Sequence, residues 1–211
     1  MTTSAAAHDV QREAARLTAL DRYGILDTAR EREFDDVASL AAHVCGTPMA
    51  AITFIDRKRQ WFKACVGLGL RETPRDVAFC AWTVEAAQPF VVPNAQDDVR
   101  FAENPYVSGA PHLRFYAGVP LIADDGSAIG ALAVMDTVPR SLNAAQRRGL
   151  QVLADQVAAL LDARLEVRRA REAHDALQSA HDALQAKVDA NEGADQASEL
   201  VIHATQVLAA R

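Results

Sequence analysis

Beyond Leu150 this chain has no proline, no aromatic residue and a single glycine, Gly193. A stretch so poor in breakers, and so rich in Ala, Leu, Gln, Arg, Asp and Glu, reads as one long helix. Its start is legible: Asn143 can cap it, and Gln146, three residues on, can complete a capping box. Apolar residues then fall at Leu150, Leu153, Val157, Leu160, Leu161 and Leu165. Further along, AHDALQS (173–179) is followed by AHDALQA (180–186), which sets Leu177 and Leu184 one heptad apart, with Ala173/Ala180 and His174/His181 repeating beside them. A repeat of seven is what a left-handed coiled coil requires. From Asn143 to Ala190 such a helix measures roughly 70 Å, at about 1.5 Å per residue. It outruns what a small domain can cover, so its apolar stripe needs a partner, most simply the same helix of a second copy. The plainer alternative is a helix-prone, partly disordered tail.

Before residue 150 the composition is different. Nine of the ten glycines, all eight prolines and every aromatic residue lie there. With 50% hydrophobic residues the chain can build a packed core, and its 211 residues fit one domain with an attachment, or two small ones. The net charge of −6 argues against a general nucleic-acid binder, which needs clustered Lys and Arg. No run of about 18 uncharged residues is present, so no membrane span is expected. The N-terminus lacks the basic flank and apolar run of a secretory signal, which makes the cytoplasm the expected location. Cys45, Cys65 and Cys80 are widely spaced, with no CxxC, so neither a structural zinc site nor a disulfide framework is expected, and no metal or cofactor is implied.

The pattern in this first part alternates between helix and strand. Phe34, Val37, Leu40, Ala41 and Val44 recur at helical spacing and stop near Gly46–Thr47–Pro48. Met49–Asp56 and Gln60–Val66 switch to a period of two and read as an antiparallel hairpin. Ala78–Ala87 reads as a short helix and Pro89–Val92 as a short strand. Phe115–Ile122 and Ala128–Met135 form a second hairpin. In its last strand Ile129, Ala131, Ala133 and Met135 are expected on one face, with Gly130, Leu132 and Val134 on the other. Small residues on both faces imply a central strand covered from each side. Between Asp97 and Leu113 runs a long irregular loop, of the kind that tends to carry function.

Seven stretches together carry a resemblance: YGILDT (23–28), FDDVASLAAHVCGTPMAAITFID (34–56), RQWFKACVGL (59–68), ETPRDVAFCAW (72–82), RFAENPYVSGAPHLRFYAGVPL (100–121), IGALAVMD (129–136) and PR (139–140). In order and spacing the chain resembles a GAF domain, of the bacterial subgroup found in front of histidine kinases and diguanylate cyclases. The resemblance implies an α/β (α+β) fold with a five- or six-stranded antiparallel sheet flanked by helices, here followed by a long C-terminal helix. The expected organisation is a helical lead-in over 1–15, the domain over 16–165, a coiled-coil signalling helix over 166–190 and a frayed or helical tail over 191–211.

The resemblance also implies a regulatory role: a sensor or relay that binds a small molecule or partner and passes a change in helix geometry to an output module. The ligand cavity of the family corresponds here to Phe79, Cys80, Trp82, Tyr106, Arg114 and Tyr116. Arg114 offers a planar cation suited to an anion, and the aromatics offer apolar walls. The competing expectation is that Phe79, Phe101, Phe115 and Tyr116 are core and that Arg114 pairs with Asp97, Asp98 or Glu103 to pin the loop.

An alternative is a thiol redox sensor, or an enzyme similar to the methionine-sulfoxide reductases of this fold, using Cys65 and Cys80. A thiol at a helix start has a lowered pKa, but the neighbours Ala78, Phe79 and Trp82 argue for burial. Trp82 stands where relatives typically carry histidine. Neither a bilin-binding Cys-His context nor the cyclic-nucleotide pattern of the family is present. GxSxG, P-loop and HExxH motifs are also missing. His43 reads as packing. His174 and His181 could titrate across a dimer, although solvated or interfacial positions without a switching role are the plainer reading. Glu199–His203 is only faintly similar to a phosphoaccepting motif, and the residues after His203 do not continue it. The expected partners are a second copy through the C-terminal helix, an unidentified small molecule and a downstream kinase or cyclase, as in two-component systems, with neither nucleic acid nor membrane. A ligand-free dimerisation scaffold is the remaining alternative.

Overall fold

The structure is a computed structural model that describes the backbone of residues 2–209 and the side chains of residues 9–188. Two compact units are present, residues 1–165 and 166–211. The first holds a six-stranded sheet in the order β3-β2-β1-β6-β5-β4, with every neighbouring pair antiparallel. Its strands are β1 (Met49–Ile55), β2 (Arg59–Val66), β3 (Glu72–Pro74), β4 (Phe90–Val92), β5 (Phe115–Ile122) and β6 (Ala128–Asp136). The helices are α1 (Thr2–Tyr23), α2 (Arg32–Cys45), α3 (Phe79–Ala86), the single turn α4 (Pro105–Ser108) and α5 (Ala144–Ala209). β6 sits between β1 and β5 and is buried at every position, as the small residues on both its faces require.

Each sheet face carries its own core. On one side α1, α2 and the start of α5 cover Ile52, Phe54, Trp61, Leu132 and Val134. On the other, α3 and the loop before β5 cover Ala51, Ile55, Ala131, Ala133 and Met135. Ile129 departs from the expected alternation and packs with Leu132 and Val134. The β5–β6 ladder slips between Leu121 and Ile122, and the slip turns Ile129 to the other face.

Helix α2 is also rotated from the sequence expectation. Its buried stripe is Phe34, Ala38, Ala41 and Cys45, whereas Leu40 and Val44 are exposed, and His43 is exposed rather than packed. Gly46, at φ 65°, ends the helix in the left-handed region, where glycine is at ease. The capping box of α5 is formed: the Gln146 amide donates to Asn143 Oδ1 (2.9 Å) and the Asn143 amide to Gln146 Oε1 (3.0 Å). Gln146 also donates to the Cys45 carbonyl, so the same residue joins the start of α5 to the end of α2. Leu150, Ala154, Val157, Leu161 and Leu165 are the face of α5 that closes the first core. The expected tail over 191–211, Glu199–His203 included, has its side chains outside the described residues.

Arg16 of α1 reaches the sheet, donating to the Ile55 carbonyl (2.6 Å). Glu13 accepts from both Arg16 and Arg75. Hydrogen bonds from Arg16 first, then from Arg75, hold the Glu13 carboxyl down at about 2, against an ordinary 4.5, despite the opposing effect of burial. A carboxyl held low in the folded state stabilises the fold above its unfolded value and loses that contribution as pH falls. We therefore expect Glu13→Gln to flatten the stability profile between about pH 4.5 and 2, read as urea midpoints. An unchanged acid slope contradicts the assignment.

Candidate functional site

Strand β2 carries residues of opposite character on its two faces. Gln60 and Phe62 line a cavity under α3, together with Thr73 of β3, Phe79, Cys80, Tyr106 and Tyr116. Its volume is about 30 Å³, room for no more than one or two waters. The walls are mostly apolar, yet two of the lining groups are buried oxygens without a hydrogen-bond partner, Gln60 Oε1 and Thr73 Oγ1. These residues are paired across β2 and β3, and each is over nine-tenths buried. An orphaned buried oxygen costs about 1–3 kcal/mol. We expect Thr73→Val to raise stability by about 1 kcal/mol, because it keeps the shape and removes the stranded oxygen. Urea unfolding measures this; a loss of similar size means that the hydroxyl has a partner in the cavity.

Of the six residues expected to form the pocket, Phe79, Cys80, Tyr106 and Tyr116 line this cavity, and Trp82 and Arg114 do not. Trp82 is 40% exposed. It stacks on Phe90, and the Arg100 guanidinium lies over Trp82, Phe90 and Phe101 while Asp98 holds it with two hydrogen bonds. Arg114 is turned to the loop that precedes it, donating to the main-chain carbonyls of Val107 and Leu113 (3.0 Å each). The expected pairing of Arg114 with Asp97, Asp98 or Glu103 is replaced by these bonds. A planar cation next to a tight loop satisfies the nearest carbonyls, and Asp98 is already engaged by Arg100.

The loop 97–113 is fastened from within. Asn104 accepts from the Tyr106 amide and donates to the Val77 carbonyl, which joins α4 to the 3-10 turn Arg75–Val77. The Leu113 amide donates to the Tyr106 carbonyl (2.7 Å). Beneath the loop Phe79 stacks on Phe101 with ring centres 4.2 Å apart, and both are buried with Tyr116, while Phe115 is buried in the core on the other face of the sheet, so all four are core as expected. Tyr116 Oη and Thr83 Oγ1 share a hydrogen bond of 2.7 Å.

All three cysteines are free thiols. Burial pushes the Cys80 thiol up, against the smaller opposing effect of the Thr53 and Tyr116 hydroxyls, and burial likewise raises Cys45 and Cys65. A reactive thiol needs the opposite environment. Among the described residues no group of three or more His, Cys, Asp and Glu could hold a metal, and no helix is long and apolar enough to cross a membrane.

On the opposite face of β2 lies Lys63, which sequence patterning had not singled out. Its side chain is fully buried. It donates to Glu31 Oε1 (2.6 Å), Thr28 Oγ1 (2.9 Å) and the Ala29 carbonyl (2.6 Å), and sits over the Phe34 ring. Glu31 in turn accepts from Arg164 of α5 (3.1 Å). Burial pushes the Glu31 carboxyl up, but Lys63 and Arg164 outweigh it and hold it below the usual range. A lysine at an inward position of an alternating strand, like Gln60 at another, was the available sign of both features.

A family model described as GAF domain matches residues 3–161. The chain is 41% identical over 128 residues to a cyclic di-GMP phosphodiesterase of Pseudomonas aeruginosa, covering 61% of this chain and 22% of that protein. It therefore spans about a fifth of the length of that relative. Among solved structures, a domain of a sensor histidine kinase from Sinorhizobium meliloti aligns with a TM-score of 0.53 at 18% identity, over 69% of this chain and 99% of the other. A free methionine-R-sulfoxide reductase from Thermoplasma acidophilum aligns with a TM-score of 0.52 at 13% identity, over 62% and 90%. At such identities these two structures share the fold and carry no more than that.

Proposed function

From the premise that the chain belongs to the GAF domain family, we propose that it is a non-catalytic sensor or relay module of bacterial signal transduction. The cavity under α3 receives a small molecule or a partner's influence, and α5 passes the change on as one helix of a homodimer. The observation that carries this reading is the two-faced strand β2. Gln60 and Phe62 face the cavity, while Lys63, directly after Phe62, is tied through Glu31 to Arg164 on α5. A displacement of β2 on one face is therefore felt by the output helix on the other, and two packings of α5 separated by a few kcal/mol suffice for a population shift. The similarity to part of a cyclic di-GMP phosphodiesterase supports a regulatory role beside an output module.

An occupant larger than water has to displace part of the cavity lining, which includes Tyr106 and Pro111 of the loop. A thermal-shift screen of nucleotides, amino acids and aromatic acids tests the receptor reading. A true ligand raises the melting temperature, by mass action on the folded state, and loses most of that effect in Gln60→Leu. The small cavity favours one rival, a ligand-free dimerisation scaffold, and the absence of a shift from every compound supports it instead.

A further inference from the structure

The C-terminal helix carries a pattern that the sensor reading does not use. When Leu177 and Leu184 are placed at d of a heptad, the a positions are Val167, His174, His181 and Val188, and the remaining d position in this span is Ala170. None of these side chains is buried, and Val167, Leu177, Leu184 and Val188 are 52, 71, 62 and 43% exposed. The unmet apolar stripe follows a repeat of seven, the period of a two-stranded left-handed coil. The flanking charges fit the same arrangement. Glu166 falls at g and Arg171 at the following e, positions that face each other between parallel, in-register helices.

We infer that a second copy pairs with this helix in parallel and in register, and that its two histidine layers make the pairing sensitive to pH. The inference rests on the homodimeric reading given above and assigns its regulation. In a parallel pair each a residue meets its own counterpart, so His174 faces His174 of the second copy and His181 faces His181. The two layers are one heptad apart, about 10 Å along the helix at 1.5 Å per residue.

Neutral imidazoles pack in such a seam. Protonated ones place two like charges in each layer, away from water. No carboxylate is at hand to compensate. The e and g neighbours of the two layers are Arg171, Ala173, Gln178, Ala180 and Gln185 on each helix, and the d neighbours are Ala170, Leu177 and Leu184. Asp175 and Asp182 follow the histidines at b, on the outer side of a coil, where Gln178 donates to Asp182. The charged residue that does flank a layer is Arg171, three residues before His174, and it adds positive charge. Histidine is the side chain whose ordinary titration lies between pH 5 and 8, so acidification over that range selects against the pair.

Sedimentation equilibrium of the full chain at pH 7.5 and pH 5.5 tests this. The dimer dissociation constant is expected to rise about tenfold or more at the lower pH. In the double variant His174→Leu and His181→Leu it should change by less than about twofold. That variant keeps His8, His43, His112 and His203, so any contribution from them stays in the comparison. Equal dissociation constants for the unmodified chain at both pH values overturn the inference, and so does a double variant as sensitive as the parent; either leaves the dimer standing. A full chain that is monomeric at pH 7.5 overturns the homodimeric reading itself, and the histidine layers with it.

Discussion

Glu31→Leu is expected to destabilise the folded protein by about 3 kcal/mol, at the lower end of what breaking a buried ion pair costs, because a third of the Glu31 side chain is exposed. The substitution leaves the Lys63 ammonium, with no exposed surface, facing the Thr28 hydroxyl, the Ala29 carbonyl and the Phe34 ring. It also removes the acceptor that Arg164 of α5 uses. Lys63→Met is expected to cost less, since it exchanges a buried charge for an apolar chain of similar length and leaves Glu31 with Arg164. The double substitution should cost less than the two singles combined, with a coupling of about 1–2 kcal/mol. Urea unfolding of the four proteins measures it. A Glu31→Leu protein within about 0.5 kcal/mol of the parent contradicts the assignment. So does strict additivity, which removes the link between the sheet and α5.

Gly130→Ala is expected to be equally severe, at about 3 kcal/mol or more, with a fall in melting temperature of roughly 10 °C. Gly130 lies on β6, opposite Phe54 of β1. A Cβ there comes within 2.2 Å of the Thr53 carbonyl oxygen and 2.9 Å of the Phe54 ring. The first contact is main chain in the middle of the sheet, held by β2 on its far side, so it cannot swing away as a long side chain does. Gly69→Ala is the natural control, since a Cβ at that position meets nothing within 4 Å. It should change stability by less than about 0.5 kcal/mol. Equal melting temperatures for the two variants contradict the packing described for β6.

Much of the fold could be read from residue patterns. The period-two runs at Met49–Asp56 and Gln60–Val66 gave the first hairpin, and the small residues of β6 placed it centrally. Asn143 and Gln146 marked the start of α5 because a capping box is a local device with a local signature. What could not be read depends on contacts between distant segments. β3 is three residues long and exists by pairing with β2, so no periodicity announces it. The rotation of α2 is decided by the fit of Phe34, Ala38 and Ala41 against the sheet, where alanine permits close approach, and the larger Leu40 and Val44 are left at the edge.

The convergence of the expected pocket residues was legible in part. Phe79, Cys80, Tyr106 and Tyr116 converge on one cavity because α3, the loop and β5 meet there. Arg114 was misjudged because its nearest acceptors are main-chain carbonyls, to which a sequence gives no direct pointer. Gln60 and Thr73 became a pair only through the β2–β3 register. The triad of Lys63, Glu31 and Arg164 draws on three elements up to 133 residues apart in sequence.

The account rests on the exposed heptad stripe of α5 being covered by a second copy. Sedimentation equilibrium at pH 7.5, comparing the full chain with a full-length variant carrying Leu177→Asp and Leu184→Asp, tests that claim most directly. At a concentration on the order of 10 µM the parent should sediment as a dimer and the variant as a monomer, with the melting of the sheet domain unchanged. A monomeric parent, or a variant as dimeric as the parent, contradicts it.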